Sequence, residues 1–234
     1  MRNRNWKRNR NKRQAKPDNF ARIASVISLI IASIAVGVPI WQANENDKER
    51  LNLWMRTNPD GIIRLPKNRE TSQVVQVPWI FTLSNTGKVK LSITGYRVHM
   101  VNNVGLSFFS NLADEAKNLD GSKLVTPFTL DAGESKSIKI NLGFKAKEVV
   151  LDHLYTQLNK VGPFTLDDSF MTLAEHGLTI YGGEADYKVI EGSTLITMTK
   201  EFYKSEPTYR VEFITGRNES FFIQGSETSS KFIM

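Results

Sequence analysis

Carboxylates are the side chains in this sequence whose spacing comes nearest to that of a reaction centre. Five of them fall close together in the second half, at Asp167, Asp168, Glu175, Glu184 and Asp186. If folding brought them together, they could bind a cation or supply the acid and base of a hydrolase. Adjacent residues of a strand point to opposite faces, so Asp167 and Asp168 are not expected to converge. Solvated carboxylates on loops are the competing interpretation.

The remaining reactive residue types form no recognisable motif. His99, His153 and His176 do not stand at the spacing of a metal site. The chain has no cysteine, which excludes a thiolate nucleophile, a disulfide and a cysteine-based metal site. There is also no phosphate-binding loop, dinucleotide fingerprint or nucleophile elbow. We therefore predict no catalytic activity, no cofactor and no metal.

Positive charge is concentrated at the N-terminus. The chain has a net charge of +7, and residues 1–22 hold nine Lys and Arg residues against Asp18 alone. The rest is close to neutral, which excludes a protein whose whole surface is basic. Only this N-terminal arm could attract the phosphates of lipid or nucleic acid. Its basic residues are Arg2, Arg4, Lys7, Arg8, Arg10, Lys12, Arg13, Lys16 and Arg22.

An uncharged apolar run, residues 23–41, follows the basic arm directly. A helix of that length spans about 28 Å, close to the hydrocarbon thickness of a bilayer of about 30 Å. Phe20 and Trp41 flank the run, where aromatic rings favour the membrane interface. Because Lys and Arg are retained on the cytoplasmic side, we predict a single transmembrane helix preceded by a basic cytoplasmic tail, residues 1–22.

Three other interpretations fit parts of the same N-terminal sequence. A cleaved signal peptide also begins with a basic region, but this apolar run is longer than usual and Trp41-Gln42-Ala43 is a poor cleavage site. A second is the buried helix of a soluble protein, although uncharged runs of this length are uncommon there. A third is a nucleic-acid-binding arm in which Trp6 stacks on a base. The adjacent apolar run explains the charges without nucleic acid.

Small side chains recur at helical spacing within the apolar run. Such a stripe lets the backbones of two membrane helices approach closely. We therefore hypothesise self-association, or pairing with another membrane protein, through these positions. The stripe consists of Ala24, Ser28, Ala32 and Ala35.

Alternation of apolar and polar residues predicts strands after the apolar run. The first covers residues 75–83, where Pro78 indicates an edge strand or a local bulge. The second begins at Lys88 and loses its phase at Gly95, as a β-bulge would, before the alternation resumes. A third covers residues 138–144.

The second half combines one amphipathic helix with short β-prone runs. Residues 148–160 carry an apolar stripe that would dock on the strands, and Gly162-Pro163 ends the helix. The polar residues 111–122 could hold a helical turn. We favour one elaborated β-domain, with a boundary near residues 147–163 as the alternative. The short runs cover residues 178–181, 187–190, 195–199, 209–215 and 221–224.

Two turn sequences resemble those of the immunoglobulin-like β-sandwich modules of bacterial surface proteins. One is Phe81-Thr-Leu-Ser-Asn85-Thr-Gly87, and the other is Leu130-Asp-Ala-Gly133-Glu-Ser135. The resemblance covers residues 70–145 and concerns the fold alone, and the chain lacks a cysteine pair. It implies a mainly β protein, in which a single N-terminal transmembrane helix precedes an Ig-like β-sandwich with an inserted amphipathic helix. Such modules usually bind, space or scaffold.

These features predict a non-catalytic protein anchored in the bilayer of the cell membrane. Residues 42–50 would form a stalk, and residues 51–234 an extracytoplasmic domain, periplasmic or extracellular, that binds or scaffolds an envelope protein or glycan. Contacts are expected in residues 104–123 and in the turn 181–184, which interrupt the strand pattern. Two alternatives stay open: a membrane-anchored envelope hydrolase that uses the carboxylates, and nucleic-acid contact by the arm at the inner membrane face.

Overall fold

The structure is a computed structural model of the 234-residue chain. It describes residues 19–102, 105–109, 112–190, 193–198, 206–227 and 230–232. The cations of the basic arm before Arg22 therefore lie outside the described residues. The chain divides into two compact units, Met1–Asp47 and Lys48–Met234.

Helix α1, Asn19–Asn46, is the described part of the first unit. Its apolar side chains are exposed, and its most apolar stretch has no buried residue. Residues Arg22–Asn46 are long and apolar enough to cross a membrane, by length and composition. The helix extends beyond Trp41, so Pro39 lies in its interior.

The second unit is mainly β, and its strands belong to three antiparallel sheets. Two helices, α2 (Glu148–Val161) and α3 (Leu166–Glu175), separate the seventh strand from the eighth. The strands are β1 (Leu51–Thr57), β2 (Val74–Asn85), β3 (Leu91–Asn102), β4 (Gly105–Ser107), β5 (Lys117–Asn118), β6 (Phe128–Leu130), β7 (Ser135–Lys145), β8 (Ala185–Ile190), β9 (Ser193–Met198), β10 (Thr208–Thr215), β11 (Ser220–Gly225) and β12 (Ser230–Phe232).

The first sheet has the strand order β1-β2-β7-β5. The predicted strands 75–83 and 138–144 are confirmed as β2 and β7, and their alternate apolar residues are buried on one face. The strand β1 was not predicted, although Leu51, Leu53 and Met55 alternate and are buried. Every second side chain of these strands therefore points into a common core.

Pro78 lies in an internal strand, so its prediction as an edge-strand marker is wrong. The pairing of β1 with β2 ends at Thr57 opposite Trp79, so the ladder stops one residue short of Pro78. The carbonyl of Pro78 accepts a hydrogen bond of 2.8 Å from the Asn58 N–H, on the β1 side. The nitrogen of Pro78 faces the same side, past the end of β1. The ladder between β2 and β7 therefore loses no hydrogen bond to this proline.

The second sheet has the order β12-β11-β10-β3-β4, and β6 pairs with the other end of β3. The predicted bulge is confirmed in β3, where Gly95 pairs with Ile214 and Ile93 with Thr215, which leaves Thr94 as the extra residue. Because β10 and β11 pair beside β3, the predicted runs 209–215 and 221–224 complete the sheet that the first half begins.

Aromatic side chains join the two large sheets. The rings of Trp79 on β2 and Tyr209 on β10 meet edge to face with their centroids 5.7 Å apart. Phe81 and Phe213 form a second such pair at 6.1 Å. The Tyr209 hydroxyl also donates a hydrogen bond of 3.1 Å to the Gly143 carbonyl of β7. Buried residues of both sheets consequently belong to one hydrophobic core.

The predicted amphipathic helix is confirmed as α2, with Val150, Leu151 and Leu154 buried. The predicted run 187–190 and the described part of the run 195–199 lie in the hairpin β8–β9. Two predictions are wrong. Residues 178–181 form a turn with one isolated bridge instead of a strand, and the described part of residues 111–122 contains β5 and turns but no helix.

Candidate functional site

Two of the five carboxylates that could have formed a reaction centre, Asp168 and Asp186, have structural partners instead. Asp167 and Asp168 lie in the first turn of α3, so the expectation that they lie on a strand is wrong. The Asp168 carboxylate accepts hydrogen bonds from the Thr165 N–H and hydroxyl, at 3.0 and 2.7 Å. These bonds lower the pKa of Asp168 and keep it ionised. Asp186 pairs with Lys188 at 2.7 Å.

No cluster of metal ligands accompanies these carboxylates. Among the described residues, no group of three or more His, Asp or Glu side chains could hold a metal ion. Within the described residues, the positions of Glu175 and Glu184 do not favour the hydrolase hypothesis. That hypothesis stays a prediction.

The capping box of α3 gives a prediction about stability. Thr165→Ala removes the hydroxyl that accepts a hydrogen bond from the Asp168 N–H. This loss should lower the free energy of unfolding by about 1–2 kcal/mol. Asp167→Asn, next to Asp168 in the same turn, is the control and should cost about 0.5 kcal/mol or less. Urea unfolding of the detergent-solubilised protein measures both. Equal losses in the two variants would show that the box does not stabilise the helix.

Two of the three histidines contact each other between the helices α2 and α3. The rings of His153 on α2 and His176 at the end of α3 are stacked, with centroids 4.1 Å apart and planes 21° apart. Imidazole nitrogens coordinate a metal in the plane of the ring, so two stacked rings do not converge on one ion. The third histidine, His99, lies elsewhere, at an open edge of β3.

This open edge is the feature of the domain best suited to binding. β4 pairs with the C-terminal end of β3 and β6 with its N-terminal end, while residues 94–99 have no strand partner on that side within the described ranges. A cavity of about 580 Å³ lies here, between residues 96–99 and residues 108–109 and 112–115. We call it the edge groove.

A tyrosine fixes the far wall of the edge groove. The Tyr96 hydroxyl donates to the Asp114 carbonyl and accepts from the Ala116 N–H, both at 2.9 Å. Burial raises the pKa of Tyr96, so the phenol stays neutral and both bonds persist at physiological pH. Leu112 is fully buried beneath the wall. Phe108 is 76% exposed at the rim, where a ligand could cover it.

The floor of the groove offers backbone hydrogen-bonding groups. Tyr96, Val98 and Met100 point their side chains toward the core, while Arg97 and His99 alternate with them. Because Asn102 pairs with Gly105 and only two residues separate them in sequence, alternation places the N–H and C=O of Tyr96 and Val98 on the open edge. Neither residue's backbone bonds there to any described residue. An extended peptide could supply the missing partners.

A second cavity of about 430 Å³ adjoins the edge groove. The two share Ala113 and Asp114 as lining residues. An ion pair between Arg64 and Asp114 lies at this shared wall, and the Arg64 backbone pairs with Gln76 of β2. The groove and the second cavity are therefore neighbours that share this wall.

A half-buried carboxyl group lies apart from this surface. Burial raises the pKa of Glu227 to about 7, although its hydrogen bond from the Tyr181 hydroxyl, at 2.8 Å, opposes the shift. Below about pH 7 the carboxyl is therefore protonated in the folded protein. In the unfolded chain the same group ionises near pH 4.5.

This difference predicts that stability falls as pH rises. Between about pH 4.5 and 7 the folded protein holds a proton at Glu227 that the unfolded chain has lost, so deprotonation favours unfolding. We expect the free energy of unfolding to fall by about 3 kcal/mol at most across this pH window and to stay constant above it. Urea unfolding at pH 5 and pH 8 measures the change. Glu227→Gln should remove most of this dependence, and Glu219→Gln, at an exposed position, should leave it intact.

The structure places the other predicted site residues as follows. The described part of the predicted contact segment 104–123 lines the edge groove through residues 108–109 and 112–115. The turn at 181–184 is packed, because Tyr181 is buried and the Lys147 ammonium donates to the Gly182 carbonyl at 2.7 Å. The stripe residues Ala24, Ser28, Ala32 and Ala35 are exposed on α1, and their role in helix pairing stays a prediction.

The edge groove as a whole was not predictable from the sequence. Two features pointed toward it, the bulge at Gly95 and the long polar interruption after β3, but neither shows which edge of β3 stays open. No protein-family model matches this chain, and no characterised protein is significantly similar to it in sequence.

Proposed function

We propose that this protein is a single-pass membrane protein whose β-domain binds or scaffolds components of the cell envelope. The observation that carries the proposal is α1, which exposes apolar side chains along its whole membrane-length stretch. Exposing an apolar surface of this size to water is unfavourable, whereas the hydrocarbon core of a bilayer would cover it. The basic arm orients the chain with its N-terminus in the cytoplasm and Lys48–Met234 outside.

We also infer an Ig-like β-sandwich for the second unit. Its strand orders, β1-β2-β7-β5 and β12-β11-β10-β3-β4, contain the ABED and GFC-C′ orders of immunoglobulin domains, with β12 and β6 as additional strands. In this assignment, α2, α3 and the hairpin β8–β9 are an insertion between strands E and F. The paired aromatic rings of Trp79 and Tyr209 fill the space between the sheets where many such domains have a disulfide.

Binding at the edge groove would occur by strand addition. An extended segment of an envelope protein would pair with the open backbone groups of Tyr96 and Val98, and one of its apolar side chains would cover Phe108. Main-chain pairing supplies affinity in this mode, and the side chains that line the groove supply specificity. The groove has no catalytic role in this proposal.

A photo-crosslinking experiment tests the binding proposal. A benzophenone amino acid replaces Phe108 in the full-length protein, and ultraviolet irradiation of intact cells then captures what lies at the groove. The control carries the same group at Val125, which is 74% exposed and therefore comparable to Phe108. We expect a discrete protein adduct at position 108 alone. No adduct there, or the same adduct at both positions, would contradict the proposal.

A further inference from the structure

The outer face of the four-stranded sheet carries a row of positive charges. In the register of the sheet, Arg56 of β1 lies opposite Ile80 of β2, and Ile80 lies opposite Lys139 of β7. Lys139 lies in turn opposite Lys117 of β5. Residues that pair across antiparallel strands share a face, so three cations point outward in one line. At about 4.8 Å per strand, the line is about 14 Å long.

These cations have no carboxylate partner within the described part of the chain. Arg56, Lys117 and Lys139 form no ion pair there, whereas other cations of the same domain, such as Arg64 and Lys90, do. The Lys139 ammonium donates to the Leu119 carbonyl at 2.5 Å, which holds it above the sheet. The row, which we call the cation row, therefore presents charge that an anionic ligand could neutralise.

One neighbouring acid does not alter this conclusion. Hydrogen bonds from Ser122 chiefly lower the pKa of Asp120, and the charge of Lys139 adds a smaller effect. The Asp120 carboxylate accepts from the Ser122 hydroxyl and N–H, at 2.7 and 2.9 Å, and forms no ion pair with Lys139. The ammonium group keeps its charge unpaired.

An aromatic ring and a ladder of hydroxyl groups flank the cation row. Trp54 is 49% exposed one row away, with the Arg56 guanidinium 5.7 Å from its ring centroid. In the same row as Trp54, the hydroxyls of Thr82 and Ser137 are 2.8 Å apart. The next row has a hydroxyl pair, Ser84 and Ser135, at 2.7 Å. This face thus combines charge, an apolar ring and hydrogen-bonding groups.

We propose that this face binds an acidic polysaccharide laid across the strands. The carboxylates or phosphates of the polymer would lie on the cation row, and the apolar face of a sugar ring would pack beside Trp54. Ile80 in the middle of the row is only 9% exposed, so no apolar side chain protrudes between the cations. A face with charges and hydroxyl groups but no protruding aliphatic side chain along the row suits a linear glycan better than a bilayer.

This inference names a ligand class for the binding function proposed above. It does not involve the edge groove, and it does not depend on which side of a membrane the domain occupies. Failure of this inference would therefore leave the crosslinking result at Phe108 unaffected, and the reverse also holds.

Binding of alginate, a linear carboxylated polysaccharide, tests the proposal. The full-length protein is reconstituted in nanodiscs of zwitterionic lipid, and its affinity is measured for alginate, neutral dextran, polyphosphate and anionic-lipid vesicles. We expect binding to alginate but not to dextran. Lys117→Gln with Lys139→Gln should weaken it about tenfold, which corresponds to about 1.4 kcal/mol for the two charges together. The matched control, Lys90→Gln with Lys160→Gln, should stay within about twofold.

Trp54→Ala separates a glycan site from a general polyanion site. We expect it to weaken alginate binding about tenfold and to leave binding of polyphosphate unchanged, because polyphosphate has no sugar ring. The proposal is overturned if alginate does not bind or if the test and control pairs weaken binding equally. It is also overturned if Trp54→Ala has no effect on alginate, or if only the anionic vesicles bind.

Discussion

Ile31→Arg combined with Ile34→Arg is expected to release the protein from the membrane. Both side chains lie near the middle of α1 and are exposed. An arginine at the centre of a membrane helix costs about 2.5–3.5 kcal/mol on insertion scales, so the pair costs about 6 kcal/mol. The fraction that resists alkaline carbonate extraction should fall from nearly all of the protein to a minor part.

A conservative pair of substitutions controls for changes in packing. Ile31→Leu with Ile34→Leu keeps the apolar character of the helix and should stay in the carbonate-resistant fraction. If the arginine variant also resisted extraction, the affinity for membranes would not reside in the apolar surface of α1. The proposed anchor would then be wrong.

Asn85→Asp is expected to be among the most destabilising single substitutions in the β-domain. The Asn85 side chain is 1% exposed, and its amide nitrogen donates to the Val89 and Leu130 carbonyls at 2.8 and 3.0 Å. Its amide oxygen accepts from the Gly87 N–H at 3.0 Å. Aspartate would lose both donors and place a buried negative charge beside two carbonyl oxygens. We expect the free energy of unfolding to fall by about 4 kcal/mol at neutral pH.

The pH dependence and a matched variant make this prediction specific. The deficit of Asn85→Asp should shrink as pH falls, because the protonated carboxyl carries no charge and can donate one hydrogen bond. Asn52→Asp, at an exposed position of β1, should change stability by about 0.5 kcal/mol or less. Urea unfolding of each variant measures these values. A loss at position 85 no larger than that at position 52 would show that the buried bonds contribute little.

The same asparagine explains why two separate turn sequences could suggest one fold. The Asn85 N–H donates to the Glu134 carbonyl, and the Asn85 carbonyl accepts from the Gly133 N–H, both at 2.9 Å. The sequences 81–87 and 130–135 are therefore bonded to each other. A turn residue that accepts an unusual backbone conformation is visible in a sequence, but its partner across the fold is not.

Strands with strict alternation were predictable because their periodicity follows from burial on one face. This holds for β2, for β7 and for the slip of phase at Gly95 in β3. Strand order was not predictable, since pairing depends on contacts between residues far apart in sequence. Pro78 is the clearest case, because its tolerance in an internal strand depends on where β1 ends.

The helix α3 was missed for a different reason. Its sequence, LDDSFMTLAE, is short and contains residues of low helix propensity, so β-prone neighbours dominated the prediction. The signal that could have found it is Thr165 followed three residues later by Asp168, which is a capping box with aspartate in place of glutamate. Recognising that box would also have shown that Asp168 has a structural role.

The sequence located one wall of the edge groove, within the predicted contact segment 104–123, but neither its open strand edge nor the cation row. The edge groove exists because β4 and β6 cover only the ends of β3, and the cation row exists because β5 pairs beside β7. Lys117 and Lys139 are unremarkable in the sequence and become neighbours only through that pairing. What the sequence did indicate was the apolar helix, whose length and composition need no tertiary context.

Labelling of single cysteines in intact cells or spheroplasts would decide the orientation of the chain. Because the sequence has no cysteine, Asn3→Cys in the arm and Ala132→Cys in the exposed turn before β7 each report one position. With a membrane-impermeant maleimide, we predict that position 132 reacts in intact cells and that position 3 reacts only after the membrane is opened. Reaction of position 3 without reaction of position 132 in intact cells, or equal reaction of both, would contradict a membrane-anchored domain outside the cytoplasm.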